Sequence, residues 1–272
     1  MSRHHGPDRS LRHAVRLARV LLSSQYALML EFRAEIVLWA LSGVLPLIML
    51  GLWSGTGVAS IPGFTPQRLV HYFLAAFVVR QFTIVWVIHA FEEDALQGRL
   101  SPALLQPLNP FWRYLAAHVS EQATRLPFVL AIVALVALVH PAALWWPTPA
   151  GLLLALLATH LAFLVRFVIQ SALTMLCFWS ERAAALERLL LIPYLFLSGL
   201  VAPLEAFPEP MRSFALNTPF PWMVWFPAQL LSGGTVPVAR GFGVLAAWGL
   251  LFLPIAVLLW RAGLRRYSAM GA

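Results

Sequence analysis

The residues of this sequence able to do chemistry are few and scattered. His71, His89, His118 and His160 fall in apolar stretches, no HExxH or Cys-His cluster occurs, and His89 to Glu92 is a lone HxxE. Packed or capped histidines are the ordinary outcome of such a pattern, so no metal site is expected. Ser198 precedes Gly199, but no GxSxG elbow surrounds it and no histidine follows it, which argues against a serine hydrolase. All 19 basic residues are arginine. Without lysine there is no Walker A loop, no Schiff base and no Ser-Lys pair, so the chain is no P-loop ATPase by itself. No catalytic residue is assigned.

Two other polar features stand out. The first is Glu92 to Pro110, EEDALQGRLSPALLQPLNP, the longest polar interruption between hydrophobic segments. Glu92, Glu93 and Asp94 suit a helix N-terminus and Gly98 suits the position past a C-terminus, which predicts a helix of one to two turns. Leu100, Leu104, Leu105 and Leu108 then share one face, giving the segment an apolar side to dock. It reads as a handle; a solvated loop with helix caps is the plainer alternative. The second feature is Arg80, Arg125 and Arg166, each inside an apolar run. A charge at the bilayer centre costs roughly 2.5 to 3.5 kcal/mol on insertion scales, so these side chains must face protein or water. Glu121 can pair with Arg125 at i, i+4, whereas Arg80 and Arg166 have no partner nearby in sequence. One reading is a wet, positive translocation path suited to anionic groups such as lipid or glycan phosphates. The other is arginines paired to backbone carbonyls and Glu121, or lying closer to a membrane interface than mid-span.

The elements that must position these groups are membrane helices. With 272 residues, 60% hydrophobic and 11% charged, the chain lacks the polar surface of a soluble globule. Its apolar runs exceed the roughly 20 residues that span a hydrocarbon core, and being continuous rather than alternating they exclude a β-barrel. Six spans are expected: about 34–53, 68–91, 111–139, 150–179, a shorter fifth between the charged hinge 180–188 and Ala202, and 238–260. Before them, Arg12, Arg16 and Arg19 recur at helical spacing opposite Leu11, Val15, Ala18 and Leu22. This predicts an interfacial amphipathic helix over 11–33. Residues 1–9 show no signal-peptide pattern.

Orientation follows from the arginines. Those before the first span, with Arg99, Arg113, Arg182, Arg188, Arg261, Arg265 and Arg266, outnumber Arg68, Arg212 and Arg240 in the other loops. Both termini, the handle and the hinge are therefore expected in the cytoplasm. The net charge of +8 is explained by this bias, not by nucleic acid, because no basic run is interleaved with exposed aromatics. The single cysteine, Cys177, allows no intrachain disulfide and reads as packing. Between spans five and six, residues 203–237 are apolar but broken by proline too often to cross. Two short helices dipping into the outer leaflet are expected. Trp222, Trp225 and Phe226 suit an interfacial belt or, more sharply, a lid over the outer end of a path.

Residues 196–222, FLSGLVAPLEAFPEPMRSFALNTPFPW, resemble the fifth-span and re-entrant segment of ABC-2 type exporter permeases. The loop EEDALQGRLSPALLQPLNP resembles their coupling-helix region, and RRYSAMGA at 265–272 is similar to the C-terminus of a branch encoded with a companion permease and an ATPase. The resemblance covers nearly the whole chain in span order. It implies one all-α membrane domain, 1–272, of six transmembrane helices, with an interfacial helix (11–33), a coupling-helix loop (92–108) and a re-entrant outer segment (203–237). It implies an exporter permease with no cofactor on this chain, and ATP and Mg on a partner ATPase dimer; arginine without lysine, with abundant alanine, hints at a GC-rich bacterial genome, so the bacterial cytoplasmic (inner) membrane is the expected location. A second permease chain, paralogous or identical, and membrane lipid complete the partners. In that setting Glu92, Glu93 and Asp94 cap the coupling helix or meet basic motor residues, Gly98 permits its turn, and Leu100 and Leu104 seat it. A non-transporting membrane scaffold recruiting a cytosolic partner is the alternative, and a proton-driven carrier, weakened by the scarcity of acids in the spans, is third. Substrate identity is not legible.

Overall fold

The computed structural model describes residues 7–31, 38, 41, 43–55, 61–180 and 184–267. Among them the chain is helical, with no strand. The helices are α1 (Pro7–Glu31), α2 (Leu45–Gly55), α3 (Pro66–Phe82), α4 (Val87–Leu96), α5 (Leu100–Leu104), α6 (Pro110–Val139), α7 (Pro149–Thr174), α8 (Ala184–Leu197), α9 (Glu209–Leu216), α10 (Phe220–Met223), α11 (Trp225–Ser232) and α12 (Val238–Arg266). Four helical stretches are long and apolar enough to cross a membrane: Pro66–Leu96, Pro110–Val139, Pro149–Phe178 and Val238–Arg266. The chain is a multi-pass membrane protein.

Three of these stretches start by one device. Thr65, Asn109 and Thr148 each precede a proline and accept a bond from a backbone N–H of the first turn, at 3.1, 3.0 and 3.1 Å. A side-chain cap followed by proline at the first helical position satisfies one orphan donor and removes another. The sequence therefore marks where α3, α6 and α7 begin.

The predicted second span is corrected in one respect: Thr83–Trp86 interrupt it between α3 and α4. The predicted first span lies partly outside the described residues, as do residues 32–33 of the expected interfacial helix and residues 181–183 of the hinge. Helix α1 packs along α6, where the Ser120 hydroxyl donates to Leu22 O at 3.1 Å. The described fifth helix, α8, has 14 residues and carries Pro193 in its interior. Proline there leaves the carbonyl of Leu189 without its helical donor.

The expectation of two short helices in 203–237 is also corrected. A 3₁₀ turn at Leu204–Ala206 and three short helices, α9 to α11, fill the segment: Pro208 and Pro219 precede α9 and α10, and Val224, at φ −131° and ψ −60°, separates α10 from α11. Helix α11 sits on α3 and α7. Its entry depends on Gly199, at φ 91°, whose carbonyl accepts the Tyr72 hydroxyl at 2.7 Å. A Cβ there would meet that hydroxyl and Trp225, so the turn requires glycine on both counts.

Candidate functional site

The break in the second span is held by a buried polar network. A helix ending in apolar surroundings leaves carbonyls that must find donors. Here Arg125 Nη1 donates to Gln81 O at 2.8 Å and Gln122 Nε2 to Phe82 O at 2.8 Å. Arg125 also pairs with Glu121, and Glu121 accepts from the Trp86 indole. The Trp86 ring stacks on His118 at 4.3 Å, while the Trp86 N–H donates to His118 Nε2 at 3.0 Å. With Nε2 accepting, the His118 proton sits on Nδ1, 2.7 Å from Tyr114 O. Arg125 is thus engaged on α3 and Glu121, the plainer of the two readings open for it.

Below the break the handle forms, but not with its acids at a helix start. Helix α4 begins at Val87, so Glu92, Glu93 and Asp94 lie in its middle and later turns, and N-terminal capping by them is corrected. Asp94 instead ties the handle together. It accepts from Arg99 Nε at 2.7 Å, Arg113 Nη2 at 3.1 Å and the Tyr114 hydroxyl at 2.6 Å. The hydrogen bonds Arg99 donates to Asp94 and Glu93 raise its guanidinium pKa above the usual value. Gly98 adopts φ 70°, a left-handed turn that α4 needs to reach α5. Leu100 is buried among Phe91, Tyr114 and Phe167, with Leu104 packed beside it, so both seat the handle on its own bundle. Glu92 is half-buried, Glu93 is exposed, and Leu105, 88% exposed, faces outward. The Ser101 and Tyr267 hydroxyls lie 3.1 Å apart and fasten α5 to the end of α12.

Arg80 and Arg166, from α3 and α7, converge on one ring. Their guanidinium carbons lie 5.5 and 4.1 Å from the centroid of Tyr194 on α8, a double cation–π arrangement. Nη1 of each is buried without a hydrogen-bond partner. Beside them opens a cavity of about 320 Å³ lined by Arg166, Gln170, Glu187 and Tyr194 at one part and by Leu190, Met223, Phe220 and Trp248 elsewhere. Glu187 Oε1 accepts from Gln170 Nε2 at 2.8 Å, and His89 Nε2 stands 2.9 Å from Glu187 Oε2.

Trp222, Trp225 and Phe226 are corrected as belt residues. They are 0%, 3% and 0% exposed and form the centre of the largest apolar cluster. Trp225 Nε1 and Gln229 Nε2 both reach the Glu205 carboxylate, the latter at 2.9 Å. Among the described residues no group of three metal-ligating side chains occurs. His71 stacks on Trp145 and His160 Nδ1 is 2.8 Å from Leu156 O. Ser198 is buried, and its carbonyl accepts the Trp225 N–H at 3.0 Å.

The residues that sequence reasoning left out are Tyr194, Gln170 and Trp86. Tyr194 follows the only proline of an otherwise aliphatic run, LLLIPYLFL, and a polar ring there was the available signal. Glu187 was visible only as part of a charged hinge.

A multi-span helical bundle with buried arginines beside a cavity is the form of a membrane transport component. The family model described as ABC-2 family transporter protein matches residues 37–271, and the chain belongs to that family. Comparison with the curated proteins finds no match to the chain.

Proposed function

We propose that the chain is the permease subunit of an ATP-binding-cassette exporter in a bacterial cytoplasmic membrane. It forms the passage, while a separate ATPase dimer binds ATP and Mg and supplies the work. The observation that carries this reading is the construction of the handle: Asp94 and Leu100 fix it to the bundle while Glu93 and Leu105 are left facing outward. A rigid lever with an exposed tip is what a motor subunit needs to grip. The arginine bias supports a cytoplasmic position for handle and termini. On this reading 1–272 is one domain with six spans, α2 and α8 belonging to the first and fifth, and 203–237 is a re-entrant outer segment. The core of Trp222, Trp225 and Phe226 stiffens that segment as a lid. A second permease chain, paralogous or identical, completes the passage.

The test is co-reconstitution with its partner ATPase. ATP hydrolysis coupled to flux, lost when the handle tip is altered at Leu105→Asp with both subunits folded, is the expected outcome. Stable binding of a cytosolic partner with no ATP-dependent flux would make the chain a membrane scaffold instead.

A further inference from the structure

Two guanidinium groups share one tyrosine inside an apolar bundle, and the Glu187 carboxylate lining the cavity beside them is held at Oε1 by Gln170 and stands 2.9 Å from His89 Nε2 at Oε2. Burying unpaired positive charge is strongly unfavourable, and the partnerless Nη1 atoms of Arg80 and Arg166 mark where a counter-charge is missing. Apart from the polar groups at that point, the walls are aliphatic and aromatic. A sugar chain, whose hydroxyls each need a partner, does not fit such walls. With roughly 30 Å³ for a water-sized group, about 320 Å³ holds on the order of ten carbon-sized groups. That suits one tail and not a two-tailed lipid enclosed whole. Leu190 and Leu191 on its wall are 37% and 43% exposed, so a tail seated there reaches the apolar exterior of the bundle.

We propose that Arg80 and Arg166, held side by side by Tyr194, bind the anionic head of an amphiphile, with an apolar tail along Leu190, Phe220, Met223 and Trp248. The head is a carboxylate or a phosphate ester, carried by a free single-tailed acid or by a lipid that inserts one chain. As cargo this amphiphile rests on the exporter reading; as ligand it does not.

Trp248 supplies the readout. In nanodiscs of uncharged lipid, 12-bromododecanoate titrated onto the full-length chain saturably quenches tryptophan fluorescence, and Trp248→Phe removes most of the saturable part. Arg166→Gln and Arg80→Gln each weaken binding at least tenfold, Arg166→Lys weakens it less, and 12-bromododecanol gives no saturable quench. Far-UV circular dichroism confirms that each variant is folded. Nanodiscs of brominated phosphatidylglycerol against brominated phosphatidylcholine form the second arm. Selective quenching by the anionic lipid alone assigns the head to lipid, and quenching by dodecanoate alone assigns it to a free acid. Equal quenching by acid and alcohol, or unchanged affinity in folded Arg166→Gln and Arg80→Gln, overturns the proposal. These measurements use no ATP, so saturable binding in a chain that shows no ATP-coupled flux would sink the exporter reading and leave the site standing.

Discussion

His89 Nε2 stands 2.9 Å from Glu187 Oε2, so the helix that carries the handle touches the helix that walls the cavity. Through Gln170, which donates to the other Glu187 oxygen, the contact continues to α7 and its Arg166.

The first prediction concerns this contact. His89 is more than half exposed at its side chain, at 56%, and exposed pairs contribute about 1 kcal/mol or less. His89→Ala and Glu187→Gln should therefore leave the melting temperature within a few degrees of wild type. Coupling should suffer more than folding, with ATP hydrolysis retained and flux per ATP falling severalfold. Glu187→Gln should also tighten 12-bromododecanoate binding, because it removes a negative charge beside the head. Flux per ATP equal to wild type in both variants would exclude a coupling role.

The second concerns Gly98. A β-branched residue at φ 70° pays for a left-handed backbone, about 1 to 2 kcal/mol. Gly98→Val should loosen the handle, seen as faster proteolysis between 96 and 100 and reduced transport-coupled ATPase. Gly98→Asn, which tolerates that backbone region, should lose less.

Asp94 carries the third. Its side chain is 13% exposed and accepts from two arginines and a tyrosine. Hydrogen bonds to a charged group contribute about 1.5 to 3 kcal/mol, so Asp94→Ala should destabilise by about that much in thermal unfolding. Tyr114→Phe should reproduce a part of the loss.

The break at Thr83–Trp86 supplies the fourth. Removing Glu121 leaves Arg125 as a buried charge, and breaking a buried pair costs about 3 to 5 kcal/mol. Glu121→Ala should therefore be poorly folded or strongly destabilised. Arg125→Met with Glu121→Leu should recover much of the loss, since a matched apolar pair is often neutral. If Glu121→Ala melts like wild type, the network does not hold the break.

The contrast between what was legible and what was not has physical causes. Helix starts at Pro66, Pro110 and Pro149 were readable because cap and proline are local signals, and spans were readable because burial in lipid demands long apolar runs. The break at Thr83–Trp86 was hidden: what stabilises it, Arg125 and Gln122, lies some forty residues away and shows no periodicity. Acids at 92–94 mimicked a helix start, but tertiary partners Arg113 and Tyr114 decide their place. The pairing of Glu121 with Arg125 was visible as i, i+4 spacing. The meeting of Arg80 with Arg166 was not, because Tyr194 brings them together across three helices.

Pro193, immediately before Tyr194, gives that meeting point a further property. A helix missing one rung of its ladder bends there more readily than elsewhere, and the bend swings the very ring on which both cations rest. Tilting the C-terminal half of α8 and shifting the ring that Arg80 and Arg166 share are then a single displacement, so on the proposed reading release of an anion needs no second moving part.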